Sequence, residues 1–184
     1  TFLDRLFGVD KPPPVVGWQH TDRWGFQPTP FFAIRELIEK ARLGPSDVLA
    51  DLGCGTGKVL QTATLLTGCR AFGVEFDPEM AKAAQRSVAN TGLSHRVQIE
   101  QGDAAHANLD QCNVFYMFNP FHGETRARVM EKLLEVAKKH PITVCTTGPM
   151  RVAQPWLTAE ADTGVYGAYT VSVFKSDPAL CEGR

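Results

Sequence analysis

Short apolar runs alternate with amphipathic stretches along most of this chain, and that alternation limits the fold more than any other feature. Val48–Leu52, Ala71–Val74, Val97–Ile99, Val114–Phe118 and Ile142–Cys145 are apolar runs of strand length. Between them lie stretches with apolar residues at helical spacing: 58–67, 78–90 and 125–139, the last through Val129, Leu133, Leu134, Val136 and Ala137. A strand buried on both faces loses the polar alternation of a half-exposed one, and parallel neighbours need a crossover between them. The chain therefore reads as α/β, a doubly wound and mostly parallel sheet with helices on both faces. Its end departs from that rhythm. Gly164–Gly167 and Ala168–Lys175 read as two strands with little between them, the pattern of an antiparallel C-terminal hairpin.

At 184 residues, 43% of them hydrophobic, the chain has enough material for one well-buried domain and too little for two. We place that domain at 29–184. Ahead of it, residues 1–28 hold Lys11-Pro12-Pro13-Pro14, which favours an extended path, so this stretch reads as an arm or lid. The arm carries Trp18 and Trp24 with His20, Asp22 and Arg23 between them. Two roles are open for these aromatics: closing over a ligand, or packing on the domain. The first helix is expected to start with Thr29 as N-cap and Pro30 at the first helical position, and to stop at Gly44-Pro45.

Charge and cysteine content narrow the partners. The formal net charge is -1, and Lys138-Lys139 is the one adjacent basic pair, so no nucleic-acid patch is expected. Cys54, Cys69, Cys112, Cys145 and Cys181 are odd in number, widely spaced and without a CxxC, which argues against a zinc site or a disulfide framework. Reduced thiols and a cytoplasmic location follow as expectations, as does a monomer or homodimer. No apolar run approaches the roughly 20 residues needed to span a bilayer, so no membrane partner is expected.

Function is concentrated where the apolar runs end. In an open parallel sheet, ligands bind outside the carboxyl ends of the strands near the point where strand order reverses. Asp51-Leu52-Gly53-Cys54-Gly55-Thr56-Gly57 follows the first run, Glu75 the second, Asp103 the third and Asn119-Pro120-Phe121-His122 the fourth. Glycines let backbone turn at positive φ and let a ligand approach without meeting a Cβ, while the new helix offers unpaired N–H groups. Dinucleotide-binding proteins use glycines similarly, but here the order is GxGxG (Gly53, Gly55, Gly57), with Lys58 where that pattern has its third glycine.

This ordered set resembles the class I S-adenosylmethionine-dependent methyltransferases, from about Thr29 to Cys145. The resemblance implies S-adenosyl-L-methionine as cofactor, S-adenosyl-L-homocysteine as product, and no metal. It implies that Gly53, Cys54, Gly55 and Gly57 wrap the methionine part, with Asp51 on its ammonium group and Thr29 close by. Glu75 would take the ribose hydroxyls, Phe76 the adenine face, and Asp103 with the Ala104 N–H the adenine edge. Asp103 has an alternative as cap of the Ala104–Ala107 turn, and Phe76 as a packing residue.

The acceptor end carries a second resemblance. Phe118-Asn119-Pro120-Phe121-His122-Gly123 is similar to the Asn/Asp-Pro-Pro-Tyr/Phe motif of amino-methyltransferases, with one proline missing. Gln27-Pro28-Thr29-Pro30, the glycine-loop helix and the Asn119–Gly123 loop also resemble the layout of non-SET lysine methyltransferases, the small prokaryotic ones being nearer in size. Both imply a nitrogen acceptor, a protein lysine, other amine or metabolite, with Asn119, Pro120 and Phe121 at the catalytic position. His122 is the nearest base in sequence, with a packing role as alternative. A small-molecule or RNA methyltransferase with another acceptor atom, and a module that binds S-adenosylmethionine without catalysis, remain open at this point. Specificity is expected from the arm, the Phe121 loop and residues around Met150 to Trp156.

Overall fold

The computed structural model describes residues 5–8, 22, 26–148, 152–160 and 168–181. In chain order the elements are α1 (Phe31–Ala41), β1 (Val48–Leu52), α2 (Lys58–Thr67), β2 (Arg70–Glu75), α3 (Pro78–Asn90), β3 (Val97–Gln101), β4 (Val114–Met117), α4 (Gly123–Ala137), β5 (Thr143–Thr147), β6 (Leu157–Ala159), β7 (Val171–Ser176) and the short α5 (Pro178–Cys181). Seven strands form one sheet in the order β3-β2-β1-β4-β5-β7-β6. β1 pairs in parallel with β2 on one side and β4 on the other, while β7 runs antiparallel to both β5 and β6. Strand order thus reverses beside β1, and a crevice opens at the carboxyl ends of β1 and β4.

Successive strand residues face opposite sides, and two apolar clusters result. Ala50, Leu52, Phe115, Met117 and Val144 pack with Val129, Met130 and Leu133 of α4. Leu49, Val114, Tyr116 and Cys145 pack on the other side with Ile34 and Leu37 of α1 and Val59, Leu60 and Ala63 of α2. Asp51, two residues beyond Leu49, lies on this second side and is paired in register with Tyr116. The arm joins the same side: Phe7 is buried, and its carbonyl accepts from Ser87 Oγ at 2.6 Å.

Local sequence explains most boundaries. Asp77 caps α3 by accepting from the Glu79 and Met80 N–H groups at 2.9 and 3.0 Å, with Pro78 at the first position. Gly57, at φ 75°, sits at the N-cap of α2 with no side-chain cap, so the first turn of that helix faces the crevice without a local side-chain partner.

Three boundaries differ from the sequence reading. Thr29 does not cap α1: Pro30 holds the N-cap position, no side chain bonds there, and the Thr29 hydroxyl lies 3.4 Å from the Tyr116 hydroxyl instead. Local preference predicts the cap, but the buried Tyr116 hydroxyl of β4 is the group within reach of Thr29. α4 starts at Gly123 rather than Thr125, because a carboxylate from the arm supplies its cap. The antiparallel C-terminal pairing is present, but its strands are Leu157–Ala159 and Val171–Ser176, the latter starting three residues later than Ala168; Gly164–Gly167 lies outside the described residues. All five cysteines are free and buried.

Gly73 tests the fit between β2 and α2. A Cβ there would lie 2.6 Å from Leu60 Cδ1, 2.7 Å from Cys54 Sγ and 2.8 Å from Ile99 Cδ1. Three neighbours cannot retreat together in a close-packed interior. Gly73→Ala is expected to cost about 1–3 kcal/mol, read as a lower urea midpoint at unchanged slope.

Candidate active site

The crevice is built from four strand ends. Thr29, Asp51, Gly53, Cys54, Glu75, Phe76, Ala104, Pro120 and Phe121 all line it, so most of the sequence-derived site converges on one place. Gly55 and Gly57 belong to the same loop but do not themselves line the crevice. Asp103 sits between the lining residues Gly102 and Ala104, and its Oδ1 accepts from the Ala105 N–H at 3.0 Å. Asn119 and His122 flank Pro120 and Phe121 without themselves lining the crevice. Asn119 adopts φ 42°, the left-handed region that asparagine tolerates better than most residues.

The glycine loop is fastened by side-chain oxygen. Glu75 Oε2 accepts from the Gly55 N–H at 2.8 Å, and Oε1 from the Asp77 N–H at 2.9 Å. Gly53 and Cys54 donate their N–H groups to the Val74 carbonyl at 2.8 and 3.1 Å. Close approach explains the glycines themselves. A Cβ on Gly55 would lie 2.5 Å from the Phe26 ring, and one on Gly53 would lie 2.8 Å from Pro120 Cβ. Phe26 therefore covers the loop from the arm side and Pro120 from the β4 side.

Asp51 carries the electrostatic signature of the site. It is buried, and no hydrogen bond reaches its carboxylate among the described residues. Burial first, and the charge of Glu75 second, push its pKa up to about 8. Burial also raises Glu75, opposed by the backbone N–H groups of Asp77 and Gly55. Burial pushes the Cys54 and Tyr116 groups up as well, making them neutral wall rather than acid or base. A buried carboxylate without a donor, facing a crevice, fits a ligand that brings a positive charge.

Several lining residues escaped the sequence reading. Phe26 and Phe118 flank the loops, Met80 comes from α3, and Tyr116 donates to Thr147 Oγ1 at 3.0 Å from mid-strand. Lys58, also buried, was noted only as a departure from a glycine pattern. Parallel register brings Tyr116 beside Asp51, a relation that spacing along the chain does not display. Trp156, counted among specificity candidates, is packed in the α4-side core. Met150, Trp18, His20, Arg23 and Trp24 lie outside the described residues.

Comparison with known proteins decides the family. The ANTKMT methyltransferase domain matches residues 51–156. The chain belongs to this family. It is a class I S-adenosylmethionine-dependent methyltransferase, as its motifs imply, and the seven-stranded sheet agrees. A protein-lysine N-methyltransferase of Saccharolobus islandicus is 30% identical over 94 residues, covering 50% of this chain and 58% of that one. An H3 lysine-79-specific histone-lysine N-methyltransferase of Dictyostelium discoideum is 28% identical over 119 residues, 57% of this chain and 6% of that protein. The chain thus spans only part of these relatives. Among solved structures, an RNA methyltransferase from Salinibacter ruber with bound S-adenosyl-L-homocysteine shares the fold at TM-score 0.56 and 23% identity, covering 82% of this chain and 92% of that one. Among the described residues, no group of three His, Cys, Asp or Glu is arranged to hold a metal, and no helix is long and apolar enough to cross a membrane.

The raised pKa of Asp51 gives a signed expectation. The unfolded carboxyl titrates near 3.8 and the folded one near 8, so the folded methyltransferase holds the extra proton between those values. Its stability contribution is then fully present below pH 4 and falls as pH rises to 8. Denaturation of ligand-free wild type and Asp51→Asn across that range should show the variant less weakened by rising pH. Binding of S-adenosylhomocysteine, whose ammonium group favours the ionised carboxylate, should tighten toward pH 8 in wild type. Titration calorimetry of Asp51→Asn is expected to show that pH dependence lost and affinity reduced about tenfold.

Proposed function

We propose that this methyltransferase transfers a methyl group to nitrogen, and specifically to the side-chain amine of a protein lysine. One observation carries the reading: Pro120 seats on Gly53, which brings the Asn119-Pro120-Phe121 loop onto the loop that holds the methyl donor. The similarity to the Saccharolobus islandicus lysine methyltransferase supports the same acceptor class.

S-adenosylmethionine supplies a methyl group on a positively charged sulfur, and transfer is an in-line displacement by a lone pair aligned behind that methyl. Asp51 would receive the ammonium group. Glu75, whose oxygens accept from the backbone N–H groups of Gly55 and Asp77 with a further backbone bond from Phe76, would offer its remaining lone pairs to two neighbouring hydroxyls. Phe76 and the Ala104 N–H, which both line the crevice, would hold the adenine face and edge. At the other end Asn119 accepts an N–H of the entering amine, which turns the nitrogen lone pair toward the methyl. Phe26, Phe118 and Phe121 wall the crevice with aromatic surface, which excludes water and favours a cationic side chain at its mouth. The lysine must shed its proton before it attacks.

Incubating the protein with methyl-labelled S-adenosylmethionine and cell lysate tests the acceptor. Label released by protease and recovered as methyl-lysine is expected; label released by nuclease, or found in small molecules, overturns the lysine reading. Asn119→Ala should lower turnover about tenfold or more while S-adenosylhomocysteine affinity stays within about twofold.

A further inference from the structure

The helix behind the acceptor loop has no cap of its own. His122 occupies the N-cap position of α4, and its side chain makes no capping bond. The cap comes from the N-terminal arm. Asp22 Oδ2 accepts from the Thr125 N–H at 3.0 Å and from the Thr125 hydroxyl, across 103 residues of sequence. The Asp22 carbonyl also accepts from the His122 N–H at 2.9 Å. One residue therefore supplies acceptors on both sides of the junction between loop and helix.

That junction needs holding. Asn119 at φ 42° and Gly123 at φ 53° bracket the loop in left-handed conformations, unfavourable for Asn119, which carries a Cβ. Backbone strained in this way persists where surrounding bonds over-determine it. Gly123 lies against the same residue, since a Cβ built on it would be 3.6 Å from Asp22 Cβ. Four positions on, the Phe26 ring covers Gly55 of the donor loop. Asp22 thus holds the acceptor loop and Phe26 covers the donor loop.

We propose that Asp22 is a positioning residue for methyl transfer, fixing the Asn119–His122 loop over the crevice by capping α4 from outside. The proposal rests on reading that loop as the acceptor loop. Asp22 touches neither donor nor acceptor; it acts through the backbone of His122 and through Thr125.

The test uses the full chain saturated with S-adenosylhomocysteine and follows amide hydrogen exchange at residues 121–125. Asp22→Ala should speed exchange there by about tenfold, while Asp22→Asn, which keeps an oxygen for the Thr125 N–H, should stay near wild type. Thr125→Val removes only the hydroxyl and should give a smaller change than Asp22→Ala. With labelled S-adenosylmethionine and poly-L-lysine as acceptor probe, Asp22→Ala should lower kcat about tenfold with cofactor KM unchanged, and Asp22→Asn should restore it. Exchange and kcat both within twofold of wild type in Asp22→Ala would overturn the proposal. So would equal loss of kcat and cofactor affinity that Asn fails to rescue. If wild type leaves poly-L-lysine unmethylated, the lysine reading is what fails, and the exchange data still decide the role of Asp22.

Discussion

The two oxygens of Glu75 hold the donor site together. One takes the N–H of Gly55 and the other that of Asp77, so a single carboxylate ties the glycine loop after β1 to the turn that opens α3. Those bonds favour the ionised form of Glu75, whose charge adds to burial in making a second acid, Asp51, prefer a proton. Positive φ at Gly53, Gly55 and Gly57 is meaningful only within this frame. Without the bond from Gly55 to Glu75 the loop would be tied to β2 only at its start, where Gly53 and Cys54 donate to the Val74 carbonyl.

Much of this was legible in sequence because the strands are buried on both faces. Continuous apolar runs placed β1 to β5 to within a residue or two, and helical spacing placed α3 at 78–90. Polar residues at strand ends converged because parallel strands all point the same way. Thr29 shows where local reasoning ran out: its preference for a cap was real, but a hydroxyl from β4 lay within reach. The hairpin strand at Leu157–Ala159 was missed because it is three residues long and carries Thr158 between two small or apolar neighbours, a pattern too brief to separate from loop.

What sequence could not display was contact over long separations. Tyr116 joins Asp51 through strand register, Phe26 meets Gly55 from the arm, and Asp22 meets Thr125 across most of the domain's length. Each pair consists of residues ordinary in their own surroundings. An aspartate between two tryptophans reads as solvent-facing, and a threonine three residues into a helix reads as neutral. Only their meeting gives either one a function, so the arm, described from its prolines as a separate arm or lid, is at these points part of the domain's frame.

The seat of Pro120 on Gly53 has a consequence for how such a chain can change over time. The two loops meet in van der Waals contact through a glycine that tolerates no Cβ and a ring that fills the space above it. A bulkier residue at 120 would press on the donor loop, and a side chain at 53 would push the acceptor loop away. Neither position can drift alone. Variation along this loop is therefore channelled into Asn119, Phe121 and His122 around a fixed proline, while the glycine loop opposite stays unchanged.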